Sequence, residues 1–159
     1  MSVKEFVLKK LEENRGIPLS GEAIANSLSV SRAAVWKAVR ALEAEGYHIE
    51  AVPNQGYTLC TDNDLLSTQG ILPYLTPPLK SREIRVFPCL PSTNQEAKRM
   101  ALESAEQGSA VLAEEQSAGR GRLGRSFFSP RGNGLYMSVI LRPKADVSNA
   151  VLITTAAAV

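Results

Sequence analysis

The segment Gly119-Arg120-Gly121-Arg122-Leu123-Gly124-Arg125 packs three glycines and three arginines into seven residues. Each glycine inside a helix or strand costs about 0.5–1 kcal/mol relative to alanine. No regular element tolerates that density, so the segment reads as a mobile loop with ordered elements ending before it and restarting after it. Glycines let the backbone wrap closely around a ligand, and arginines present planar, permanently charged forks to a carboxylate or phosphate. The segment lacks the Gly-Lys-Ser/Thr ending of a Walker loop, and its spacing and helix entry do not fit the dinucleotide fingerprint. An arginine/glycine-rich RNA-binding stretch is the plainer alternative. Such stretches are long and repeated, whereas this one is single and lies between strand-like segments.

Charge placement sharpens the point. The chain carries a net charge of only +2. Residues 1–65 nevertheless hold seven Lys/Arg and nine acids, and residues 66–159 hold eleven and seven. From Gln116 to Ala145 there is no acid, while Arg120, Arg122, Arg125, Arg131, Arg142 and Lys144 all fall there. A stretch of one sign attracts an anion.

Hydrophobic residues at 44% and charged residues at 21% suit a packed core and argue against disorder. No apolar run approaches the roughly 20 residues of a membrane helix. The Met1–Glu5 start has no signal-peptide core, so a cytoplasmic protein with no membrane partner is expected. Two cysteines, Cys60 and Cys89, and one histidine, His48, are too few for a disulfide framework, a four-ligand metal site or a histidine triad. No metal ligands are therefore assigned. The chain stops at Ala156-Ala157-Ala158-Val159, inside an apolar stretch that starts near Ala150. It is expected to be the N-terminal portion of a longer protein.

In the first half, Val3, Phe6, Val7 and Leu11 repeat at helical spacing, which predicts a helix over residues 2–14. Ser20 can cap a short second helix with Ile24 and Leu28 inward. Ser31 can cap a third, from Arg32 to about Glu45, with Val35, Val39 and Leu42 inward and Gly46 as its stop. That order is a helix-turn-helix. On the third helix Arg32, Trp36 and Arg40 form one outward stripe with Lys37 beside it, and Ser31 with the first-turn amides can grip a phosphate. These five residues are the candidate DNA-binding set; an ordinary solvated basic face is the alternative. Alternation through Tyr47, Ile49 and Ala51, a turn near Asn54-Gln55-Gly56, then Tyr57 and Leu59 predict a β-hairpin, hence a winged helix-turn-helix over residues 1–65.

Residues 66–82 read as a linker with a short helix ending at Pro77-Pro78. Beyond it a strand is expected at Ile84–Pro88. A helix capped by Ser92 or Thr93 follows, with Glu96 completing a capping box and an end near Glu106. A strand is expected from Ser109 to Glu115, and another from Leu135 to Leu141 running back beside it. Phe127 or Phe128 can cover an apolar ligand or fill the core.

Together these residues resemble the bacterial bifunctional biotin–protein ligases that also repress the biotin operon, the BirA-type family. Ser31-Arg32-Ala33-Ala34-Val35-Trp36-Lys37 is close to that family's recognition helix, and Pro53-Asn54-Gln55-Gly56-Tyr57 matches its wing. Ser92-Thr93-Asn94, Gly134-Leu135-Tyr136-Met137-Ser138 and the Gly119–Arg125 loop match its catalytic domain, with Leu123 where relatives commonly have a second arginine. The resemblance implies an α+β chain: a winged helix-turn-helix domain, then the first part of a mixed α/β ligase catalytic domain over residues 83–159. It implies that biotin and ATP, with Mg²⁺, give biotinyl-5′-AMP, and that the biotin then passes to a lysine of a biotin carboxyl carrier protein. Operator DNA is the second partner, bound by a homodimer when ligand is present. Ser92, Thr93, Asn94, Gln116, Gly119, Arg120, Gly121 and Arg122 would line the biotin and adenylate site, supported by Gly124, Arg125 and Phe127. The family's later Lys-Trp-Pro-Asn-Asp-like motif and its C-terminal β-barrel lie outside these 159 residues, so the chain by itself is expected to be inactive. A non-catalytic, ligand-sensing winged-helix regulator is the competing reading.

Overall fold

Three serines open the first three helices. In the computed structural model of the chain, which describes residues 1–121, 123 and 125–143, Ser2, Ser20 and Ser31 each accept a bond from the amide three residues on. They start α1 (Val3–Glu13), α2 (Gly21–Leu28) and α3 (Arg32–Ala44). Ser2 and Glu5 complete a capping box. The turn between α2 and α3 carries Ser29 in the left-handed region, and Gly46 at φ 97° stops α3. The chain divides into two compact units, Met1–Ser81 and Arg82–Val159.

The core of the first unit joins Val7, Leu8 and Leu11 of α1, Ile24 and Ala25 of α2, and Val35, Val39 and Leu42 of α3 with Tyr47, Ile49 and Leu59. Each fully buried Val or Leu contributes about 1.5–3 kcal/mol. Phe6, expected inward, is only half-buried; Leu8 takes the core position, and the Lys10 ammonium lies 5.7 Å from the Phe6 ring centre. Strands β1 (Ile49–Val52) and β2 (Gly56–Leu59) pair antiparallel, with Ile49 opposite Leu59. Ala51, expected inward, is exposed, because the hairpin extends past the helices there.

Leu19 adds a further bridge to this hairpin. It exchanges two 2.9 Å backbone bonds with Tyr57. Gly56 makes that approach possible: at φ 116°, a Cβ on it would lie 1.9 Å from the Leu19 carbonyl oxygen. Beyond the hairpin, burial and then the nearby Glu50 and Asp62 push the Cys60 thiol up. Two single-turn helices, α4 (Thr68–Ile71) and α5 (Pro77–Lys80), flank a 3-10 turn at Leu72–Tyr74 within the first unit.

The second unit is built on β3 (Ile84–Phe87), α6 (Thr93–Leu102), β4 (Ala110–Ala113) and β5 (Tyr136–Val139). β3 and β4 are parallel with α6 as their crossover, and β5 pairs antiparallel with β4, giving the order β3-β4-β5. Ala97 and Met100 of α6 pack on Val111 and Ala113 of β4 beside Leu90 and Ile140. Helix α6 ends at Leu102, short of Glu106, because Ser104 turns left-handed at φ 69° and the Ala105 amide bonds back to the Met100 carbonyl. Leu135, Met137, Val139 and Leu141, alternate residues along β5 and its ends, are all exposed. Among the described residues no helix is long and apolar enough to cross a membrane.

Candidate functional site

In the second unit the parallel pair fixes the geometry. α6 begins just after the C-terminal end of β3, and Gln116 follows the C-terminal end of β4. A parallel bridge between Leu90 and Gln116 places them side by side. Ligands in open α/β sheets sit outside the carboxyl ends of such strands.

A line of polar groups crosses this point. The Ser138 hydroxyl donates to Thr93 Oγ1 at 2.9 Å, and the Thr93 hydroxyl donates to Gln116 Oε1 at 3.1 Å. The Thr93 amide reaches the same oxygen at 2.8 Å. Gln116 Nε2 donates to Ser129 Oγ at 3.1 Å, and that hydroxyl donates to the Phe127 carbonyl at 3.1 Å. Gln116 thus caps α6 from across the sheet. Ser92 occupies the N-cap position, only 4% exposed, but its side chain makes no capping bond. Glu96 completes no capping box. It pairs instead with Arg85 and Arg99, and the Arg99 guanidinium holds its carboxyl below the usual carboxylate range. Ser129 and Ser138 are not among the site residues expected from the sequence, although Ser138 ends the Gly134–Ser138 segment that carries the resemblance.

The glycine/arginine segment is closed by its own backbone. Gln116 bridges Ser129, and Arg120 bridges Ser126. The Phe127 amide donates to the Gly119 carbonyl at 2.9 Å, and the Gly121 amide to Arg125 at 2.8 Å. The described flanks of the segment, Gly119–Gly121 and Arg125–Phe127, are thus joined by cross-strand backbone bonds. Gly119 is buried, and a Cβ there would lie 2.4 Å from the Phe127 carbonyl oxygen and 2.7 Å from Ser129 Oγ. Arg120, Arg125 and Asn94 are exposed, and Phe127 is 55% exposed. Arg122 and Gly124 lie outside the described residues.

The acid-free window is not uniformly available to a ligand. Arg131 pairs with Glu114 at 3.2 Å. Arg142 donates to the Ala101 and Ala105 carbonyls and so closes the C-terminal end of α6. Among the described residues, Arg120 and Arg125 form no ion pair, which leaves their guanidinium forks open to an anion.

In the first unit Ser31, Arg32, Trp36, Lys37 and Arg40 are all at the surface of α3, with Trp36 53% exposed. Arg40 is paired with Glu43 at 2.9 Å, so part of its charge is already met. Arg32 lines a groove with Ser20, Gly21 and Glu22 at the start of α2 and with Pro53, Asn54 and Tyr57 of the hairpin. Sequence spacing located the α3 stripe. It did not show that the hairpin tip and the start of α2 share a groove with Arg32.

Comparisons with known proteins agree with this division. Residues 3–58 match the HTH domain family, and residues 86–158 match the biotin/lipoate A/B protein ligase family. Over 141 residues, 89% of this chain, the sequence is 38% identical to the bifunctional ligase/repressor BirA of Bacillus subtilis (strain 168). Over 132 residues, 83% of the chain, it is 39% identical to the bifunctional ligase/repressor BirA of Escherichia coli (strain K12). The chain spans 43% and 40% of the lengths of these two relatives.

Proposed function

This chain carries an HTH domain and, after it, a domain of the biotin/lipoate A/B protein ligase family, and on that premise we propose that the whole protein is a biotin–protein ligase that also represses transcription in response to biotin. The observation that carries the ligase half is the line Ser138–Thr93–Gln116–Ser129 beside unpaired Arg120 and Arg125. Thr93 and Gln116 are bonded to each other and to Ser138 and Ser129, so their part is to fix the wall of the site. Ser92 and Asn94 at the start of α6 and the Arg120 fork would meet biotin and adenylate. Gly119, Gly121 and Arg125 hold the hairpin that presents Arg120, Phe127 covers it, and Arg122 and Gly124 belong to the same segment by sequence.

In the reaction a biotin carboxylate oxygen attacks the α-phosphorus of ATP and pyrophosphate leaves. A carrier lysine amine then attacks the acyl carbon of biotinyl-5′-AMP and AMP leaves. Carboxylate and phosphate repel, and a fixed guanidinium between them offsets that repulsion as they close. Mg²⁺ would accompany ATP and offset part of its phosphate charge. A biotin carboxyl carrier protein is the acyl acceptor, operator DNA the target of α3 and the hairpin, and the ligand-bound form a homodimer. The protein works in the cytoplasm.

Calorimetry with biotin tests the site on this chain, and Arg120→Ala should weaken adenylate retention more than biotin binding. Absence of pyrophosphate exchange by the whole protein with biotin and ATP would leave the non-catalytic regulator as the better reading. In a gel-shift titration Arg32→Ala should weaken operator binding by about 1–3 kcal/mol. Unchanged affinity would remove α3 from the recognition surface.

A further inference from the structure

The base of the hairpin gathers a second set of chemistry-bearing groups. His48 and Glu50 are two residues apart along one strand, so their side chains share a face. Cys60 continues β2, and its amide donates to the His48 carbonyl at 2.9 Å, which sets it opposite His48. Glu50 stands opposite Thr58. His48, Glu50 and Cys60 thus gather at the base of the hairpin. One ligand atom each from His48, Glu50 and Cys60 lies within 4.8 Å of the others. Asp62 adds a carboxylate oxygen 3.3 Å from His48 Nδ1. Beneath them the Thr58 hydroxyl, in a residue only 9% exposed, is buried without a hydrogen-bond partner. Among the described residues, no Lys or Arg forms an ion pair with Glu50 or Asp62, and the patch is held by its own contacts, His48 with Asp62 and the Cys60 thiol with Glu50.

We infer that His48, Glu50 and Cys60 form a binding site for a divalent transition-metal ion of the zinc class, with Asp62 holding the imidazole. An imidazole, a thiolate and a carboxylate are the nitrogen, sulfur and oxygen donors zinc accepts in tetrahedral sites, and three protein ligands leave one position for water. A thiolate and an imidazole exclude magnesium and calcium, which prefer oxygen. A carboxylate on the far side of a ligating histidine fixes the ring. A count of cysteines and histidines does not reach this set, because strand register brings Cys60 opposite His48 and the third donor is the nearby Glu50. The ion would tie the start of β1 to the end of β2, clipping the open end of the hairpin. The site is independent of the ligase reading.

Cobalt(II) titrated into the tag-free 159-residue chain tests it, since cobalt bound to thiolate absorbs in the near ultraviolet. The expected result is saturation at one ion per chain, with zinc displacing the cobalt. Cys60→Ser should abolish the thiolate absorption, while Cys89→Ser should keep it. His48→Gln and Glu50→Gln should each weaken binding about tenfold or more, and Asp62→Asn about tenfold. Circular dichroism unchanged from the parent shows that these surface variants still fold. Absorption that survives Cys60→Ser, absorption lost in Cys89→Ser, saturation at one ion per two chains, or no saturable binding would each overturn the site.

Discussion

In the first unit each long helix takes its N-terminal cap from the serine that precedes it, through bonds spanning three residues. In the second, α6 is held at its start by Gln116, from beyond β4, and at its end by Arg142, from beyond β5. One unit secures its helices locally and the other secures its helix across the sheet. The difference bears on where function is placed: Gln116, which holds the start of α6 from a distance, also belongs to the wall of the proposed ligand site, so folding and site assembly would coincide there.

Two glycine substitutions test this separation most forcibly. Gly56→Ala drives a Cβ into the Leu19 carbonyl at a left-handed φ and should cost the first unit about 3 kcal/mol, leaving the second intact. Gly119→Ala should cost the second unit about 2 kcal/mol and remove biotin binding, leaving the first intact. Urea unfolding followed by Trp36 fluorescence reports on the first unit, since it holds the chain's one tryptophan. Hydrogen exchange of the β4 amides reports on the second. A loss shared by both units in either variant would break the separation.

Gln116→Leu comes next. It leaves the Thr93 amide and hydroxyl without their acceptor and should cost about 1–3 kcal/mol in β4 exchange alone. Ser31→Ala should cost about 1 kcal/mol in the Trp36 transition. Ser92→Ala, which removes no capping bond, should cost the second unit less than that. Equal losses would return Ser92 to the role of a local cap.

The smallest effect is in acid. The Glu96 carboxyl sits below its ordinary pKa in the folded chain, chiefly through Arg99 and then Arg85. A depressed folded pKa adds stability above the unfolded value, which is lost as pH falls through the folded one. The second unit should therefore weaken below the usual carboxylate range, and Glu96→Gln should flatten that dependence in an acid titration of β4 exchange. Glu5 is lowered by the Ser2 backbone in the first unit, but it is exposed, so Glu5→Gln should change the Trp36 acid profile less.

Local signals made the first unit legible. Caps at Ser20 and Ser31, the inward set Val35, Val39 and Leu42, and the hairpin all follow from neighbours in the chain. In the second unit the strands β3, β4 and β5 and the antiparallel return of β5 beside β4 match the expected segments. The Thr93–Gln116 bond was not legible, because nothing in Ser92-Thr93-Asn94 distinguishes a serine that caps from one displaced by a distant glutamine. The density of glycine and arginine located the loop, but composition does not report the cross-strand bonds of Gly119 and Arg120. Nor does it separate Arg142, consumed as a helix cap, from Arg120, which forms no ion pair among the described residues.

The double clamp on α6 also sets an order of events at the ribosome. The chain emerges from its N-terminus, and domains generally fold as they appear. The first unit holds all its caps and core within its own span and can close while the rest is still being made. Helix α6 leaves the exit tunnel before either terminal partner has emerged. Its amide end stays unmet until Gln116 appears and its carbonyl end until Arg142 does, so the nascent second unit is exposed to chaperones and proteases for the interval between them.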